Sequence, residues 1–187
     1  MKEHGVEPDI HQYYQMLNMA AMVGNSMAAQ FCFNKVADST EFTNMRPRLY
    51  NWLIKAYGKD SEANKVLPNY LRGNFSESAQ KTINLYEEMK TENYEANPFT
   101  VSTVIRSYLQ NGDFDGANTL IAEQGDSELK MMNMIQTDFI RGYITHKKFA
   151  EAEELFQKLS STSKVTLPQY NEMLRMYEQK GQCFDPN

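Results

Sequence analysis

Cysteine is scarce in this chain of 187 residues: Cys32 and Cys183 stand near opposite ends. Two such thiols make no disulfide framework, and they point to a reducing compartment. Three histidines, His4, His11 and His146, supply no metal-ligand spacing with them. No run approaches eighteen apolar residues, so no transmembrane helix is expected. The nine glycines form neither Gly-x-x-x-x-Gly-Lys-Ser/Thr nor Gly-x-Gly-x-x-Gly, so no phosphate-cradling loop is encoded. No nucleophile–base pair or paired carboxylate site stands out, and neither catalytic residues nor a cofactor is expected. Residues 1–9 carry three acids and no apolar stretch, unlike a secretory or transit peptide. What remains is ordinary globular composition, 41% hydrophobic and 23% charged, with a formal charge of −5.

What is present is repetition. Residues 1–9 align without gaps on residues 89–97. The segment Tyr50-Asn51-Trp52-Leu53-Ile54-Lys55-Ala56-Tyr57 has counterparts ending at Tyr108, Tyr143 and Tyr177, with a weaker one at Tyr13-Tyr14-Gln15-Met16-Leu17. The four closing tyrosines are spaced by 51, 35 and 34. Residues 113–121 match 148–156, placing Ala117 and Ala152 where two helices would approach closely. Apolar residues recur at i, i+3, i+4 and i+7, the helical period. Strand alternation is absent.

The unit is therefore a helix–turn–helix of about 35 residues, which covers its apolar face by stacking on neighbours. The expected fold is all-α, an α-solenoid with the course of a right-handed superhelix. Its approximate repeats are 10–46, 47–97, 98–132, 133–166 and a partial 167–187. Residues 1–9 read as the end of a preceding repeat, so both ends are expected to cut a longer array. Asp9, Asn97 and Thr166 suit N-caps, Pro47 and Pro98 suit first turns, and Gly24, Gly112 and Gly181 suit left-handed C-caps. The long second spacing is expected to hold a loop insertion near 59–74.

The repeats resemble the pentatricopeptide repeat family more than the tetratricopeptide one, whose Leu-Gly beside a Trp is missing around Trp52. The resemblance rests on Tyr50-Asn51 and Tyr170-Asn171, on Leu85-Tyr86-Glu87-Glu88-Met89-Lys90, on Glu151-Ala152-Glu153-Glu154-Leu155-Phe156, and on Glu7-Pro8-Asp9. It implies single-stranded RNA bound along the first helices, one base per repeat. In the family, one reading residue follows the first-helix aromatic and the other closes the repeat. Carried over, the pair Asn51 with Asn97 resembles those favouring pyrimidines, C over U. Ser102 and Thr137 match the purine-favouring type at the first site, but their partners Met132 and Thr166 depart from the usual Asn or Asp. Asn171 fits the first site without a partner, and Tyr14 with Arg46 matches no usual pair. Tyr13, Tyr14, Tyr50 and Phe99 are candidate stackers.

Charge follows the same division. First-helix segments hold ten basic and four acidic residues, second-helix segments five and eleven. Phosphate contact is thus expected from Arg46, Arg48, Lys55, Arg106, Arg141, Lys147 and Arg175. The resemblance implies a non-enzymatic organellar protein, mitochondrial with the chloroplast as alternative, acting in RNA stability, processing or translation. The other reading is a protein–protein interaction solenoid, such as a subunit or assembly factor of a mitochondrial ribosome or another large complex. Twelve methionines suit either a pliable hydrophobic groove or, in helix pairs, a gap-filling core.

Overall fold

The computed structural model describes residues 7–66, 75–124, 129–162 and 165–181, excepting the side chains at 61–66, 75–76 and 129–132. Among these residues there are nine α-helices and no strand. They are α1 (Ile10–Val23), α2 (Ser26–Val36), α3 (Arg46–Val66), α4 (Phe75–Thr91), α5 (Pro98–Asn111), α6 (Phe114–Gln124), α7 (Leu129–Thr145), α8 (Phe149–Thr162) and α9 (Leu167–Lys180). A 3-10 turn, Thr40–Met45, joins α2 to α3.

The helix ends follow local chemistry. Asp9 closes a capping box on α1: its Oδ1 accepts from the Gln12 N–H at 2.7 Å, and Gln12 Oε1 accepts from the Asp9 N–H at 3.0 Å. Asn97 caps α5 by accepting the Thr100 N–H at 2.9 Å. Gly112 ends α5 at φ +78°, where a Cβ would meet the His146 ring at 3.0 Å.

The turn after α7 reaches the same left-handed region without glycine. Lys147 sits there at φ +58°, a conformation that costs an L-residue about 1 kcal/mol. Lys147→Gly is therefore expected to stabilise the protein by about 1 kcal/mol in urea denaturation. No gain would mean that the lysine side chain compensates the backbone strain.

The chain divides into two compact units, residues 1–107 and 108–187. In unit 1, α1 pairs with α2 and α3 with α4, while α1 and α3 pack against each other. First helix thus stacks on first helix, around fully buried Leu17, Ala21, Leu49, Leu53, Ile54 and Met89. In unit 2, α7 pairs with α8 and also packs on α9. Its core is Ile140, Ile144, Ala152, Leu159, Met173 and Met176, ringed by Tyr143, Phe149 and Tyr177. Ala117 and Ala152 are both buried completely, as close helix approach requires.

The expected loop near 59–74 begins as helix instead: α3 runs to Val66, and residues 67–74 lie outside those described. The extension is tied down at its start. Lys59 Nζ donates to the Met22 carbonyl at 2.7 Å. Asp60 Oδ2 accepts from Ser26 Oγ at 2.8 Å and from Ser78 Oγ at 3.1 Å, joining α3 to α2 and α4.

Candidate nucleic-acid interface

Asn51 and Asn97 are far apart in sequence and meet in unit 1. They line one recess of about 730 Å³ with Arg48, Trp52, Lys55 and Phe99. Thr100 connects them. Its N–H donates to Asn97 Oδ1 at 2.9 Å, and its Oγ1 donates to Asn51 Oδ1 at 2.6 Å. One lone pair of each Asn carbonyl oxygen is thereby engaged inside the protein, and each Nδ2 keeps its two donors beside one remaining Oδ1 lone pair. Thr100 is 1% exposed, so this link is held dry. The repeat pattern did not mark Thr100, because it lies between the closing position Asn97 and the next first-site position Ser102.

The walls of the recess are aromatic and cationic. Phe99 is 52% exposed, and Lys55 Nζ stands 5.6 Å from its ring centre. Trp52 packs against Tyr14 at 5.0 Å. Tyr14 stacks on Phe42 of the 3-10 turn at 4.9 Å, and its hydroxyl accepts from Arg48 at 3.4 Å. Tyr14 is thus partly committed to packing, and Tyr13 meets Phe31 edge-on at 5.9 Å. Tyr50 is not an available stacker: it is buried, and its hydroxyl donates to Glu88 at 2.8 Å. Burial first, then that hydrogen bond, pushes its phenol well above the ordinary range.

The other reading candidates are placed differently. Ser102 and Thr137 are buried, and each turns its hydroxyl onto its own helix, to Phe99 O at 2.9 Å and to Asn133 O at 2.8 Å. Met132 lies on the first turn of α7, its side chain outside those described. Thr166 sits at the N-cap of α9, half-buried, and its N–H donates to Gln169 Oε1 at 2.8 Å. Asn171 is exposed on α9.

The basic residues also separate. Arg48 and Lys55 stand in the recess. Arg46, only two residues before Arg48, lines a different cavity of about 330 Å³ with Asp38, Glu88 and Glu92. Two positions along a helix turn a side chain by about 200°, so Arg46 leaves the first-helix face. In unit 2, Arg141 is held by Asp138 at 3.0 Å and by Glu172 at 2.8 Å, both carboxylates being buried. Arg175 approaches the same Glu172 at 3.7 Å. Asp138 and Glu172 thus neutralise Arg141, whereas Arg175 stays largely exposed. Lys147 is exposed on its turn, and Arg106 is half-buried on α5.

Helical hairpins stacked first helix on first helix within each unit define the class: a helical-repeat protein whose first helices carry the candidate site. Family comparison makes the class specific. The pentatricopeptide repeat domain model matches residues 1–60, and the PPR repeat model matches residues 99–123 and 137–161. A pentatricopeptide repeat-containing protein of Arabidopsis thaliana is 24% identical over 179 residues, 95% of this chain. The chain belongs to the pentatricopeptide repeat family. It spans about half (48%) the length of that plant relative. Proteins of the family are in general organellar and RNA-binding, and generally not enzymes. Among the described residues, no helix is long and apolar enough to cross a membrane.

Proposed function

We propose that this chain is the single-stranded-RNA-binding array of a mitochondrial protein acting in RNA stability, processing or translation. The observation that carries the proposal is the recess of unit 1. There, two candidate base-reading amides, two cations and an exposed aromatic ring converge. The cations suit phosphates, the ring suits a base face, and the amides suit a base edge. Ser102, Thr137, Thr166, Met132, Asn171 and Tyr14 remain reading candidates of the neighbouring repeats, with Arg106, Lys147 and Arg175 as further phosphate contacts.

The hydrogen-bond arrangement supports a preference for cytosine at this position. With Thr100 holding each Oδ1 in place, Asn51 and Asn97 offer their Nδ2 donors beside a single remaining lone pair on each oxygen. Cytosine offers adjacent O2 and N3 acceptors on its Watson–Crick edge, whereas uracil places an N3–H there, which a donor cannot meet. Asn51→Ala is expected to reduce C-over-U discrimination by about tenfold. Thr100→Val is expected to do the same while leaving total affinity near wild type, because it frees the Asn51 amide to reverse. Anisotropy titrations with RNA oligomers differing at single bases check both. If either variant keeps its preference, the reading of this pair is wrong.

A second reading, the protein-interaction solenoid, is favoured by one observation. On α1 and α2 of unit 1, Met16, Met19, Val23, Met27 and Phe31 are all more than 40% exposed. RNA titration at two salt concentrations separates the readings. Affinity that falls with added salt supports RNA, and an absence of binding at low salt supports the solenoid. Fluorescence localisation of the tagged full-length protein decides between mitochondrion and chloroplast.

A further inference from the structure

Met22, near the end of α1, connects an oxidisable atom to the recess of unit 1. Its side chain is 56% exposed. Its Sδ accepts a hydrogen bond from Lys55 Nζ of α3 at 3.0 Å. The same ammonium stands 5.6 Å from the ring centre of Phe99, with which Lys55 lines the recess. Met22 itself stands outside that lining. Lys55 is therefore shared between a thioether on α1 and the proposed path of a phosphate.

A thioether is a weak acceptor, so Lys55 gives up little when it leaves Met22 for a phosphate oxygen. Oxidation reverses that balance. A sulfoxide carries a strongly polar oxygen, a far better acceptor for an ammonium. The main chain of Met22 is also fixed against α3, because Lys59 Nζ donates to its carbonyl at 2.7 Å. The flexible side chain can turn its new oxygen toward Lys55, but the residue cannot follow the lysine into the recess. The lysine must come to it.

We propose that Met22 is a reversible oxidation site whose sulfoxide captures Lys55 and withdraws it from the recess. The oxidant is hydrogen peroxide. The sulfur lone pair that Lys55 leaves free attacks one peroxide oxygen. An S–O bond forms, the O–O bond breaks, and sulfur gives up two electrons. The hydroxide released takes the proton of the sulfur-bound hydroxyl and leaves as water. A methionine sulfoxide reductase restores the thioether, two thiols being oxidised to a disulfide and the oxygen leaving as water. The capture belongs to these two side chains alone, whereas its effect on RNA rests on the function proposed above.

The test treats the whole chain with limiting hydrogen peroxide and maps added oxygen by peptide mass spectrometry. Lys55 is then acetylated with an N-hydroxysuccinimide ester, and its labelling rate is read on the same maps. Once Met22 is oxidised, Lys55 should label about threefold or more slowly, since a donating ammonium resists deprotonation. Met22→Leu should show no such change. Oxidation of wild type should also weaken RNA binding about 3- to 10-fold and flatten the dependence of log K on log salt by about 0.7, one phosphate contact. Reductase treatment should restore both. Met22→Leu should lose this response, although Met45, 41% exposed in the recess lining, is open to peroxide as well. The proposal is overturned if Lys55 labels equally fast before and after Met22 is oxidised. It is equally overturned if peroxide costs Met22→Leu as much RNA affinity as wild type. Slowed labelling in a chain that binds no RNA even when reduced would uphold the capture and remove the RNA reading.

Discussion

Gly58→Ala should destabilise the protein by about 2 kcal/mol, although it replaces glycine with a better helix former. Gly58 is buried in the middle of α3, and a Cβ there would run into Thr103 Cγ2 of α5. Exposed on a helix, this substitution would gain about 1 kcal/mol. Here the overlap outweighs that gain, because the obstructing methyl cannot swing away. Thr103 donates its Oγ1 to Phe99 O at 2.8 Å, and that bond selects the rotamer that aims Cγ2 at the glycine. Relief therefore requires either breaking the hydrogen bond or moving α3 from α5, and the second would disturb the recess that both helices line. Urea denaturation followed by circular dichroism measures the loss. Adding Thr103→Ser should restore most of it, since serine keeps the hydroxyl and lacks the methyl. A Gly58→Ala protein as stable as wild type, or a double variant no better than the single, would refute this account.

Arg48→Ala/Lys55→Ala should weaken RNA binding about 10- to 100-fold at low salt, the second large effect expected. It should also flatten the dependence of log K on log salt by about 1.4, two single-strand phosphate contacts at about 0.7 each. Both cations stand in the unit 1 recess, and Lys55 is poised over Phe99. Arg46→Ala should leave the slope unchanged, since Arg46 faces the cavity of Asp38, Glu88 and Glu92. Arg141→Ala should also spare the slope but reduce stability, because it leaves the carboxylates of Asp138 and Glu172 buried beside a missing partner. Binding isotherms at four salt concentrations distinguish the variants. Equal slopes for wild type and the Arg48/Lys55 variant would remove these residues from the phosphate track.

Arg46 and Arg48 show why charge counting along a helix is coarse. Both belong to the first-helix segment, and both add to its basic excess. The helical twist sends them to different surfaces, one toward the reading residues and one toward carboxylates. The same holds for Ser102 and Thr137, which have the right residue type at the right repeat position. Their depth follows from packing, and their hydroxyls from competition by their own helix carbonyls. The extension of α3 was hidden for another reason. Residues 59–66 have acceptable helix propensity but no repeat counterpart, and their anchorage depends on Met22, Ser26 and Ser78.

Sequence alone determined the helical unit, its approximate length, its caps and its family. These are local or periodic properties: a capping side chain acts within one turn, and a repeat is visible wherever its register is kept. The family resemblance, carried over on that register, pointed to Asn51 and Asn97 as a candidate pair. Tertiary structure alone decided that Thr100 links them, and which cations stand beside them. It alone brought Met22 of α1 to Lys55 of α3. Those features depend on where the faces of separate helices meet, and side chains from distant positions have no shared signal in the chain that carries them.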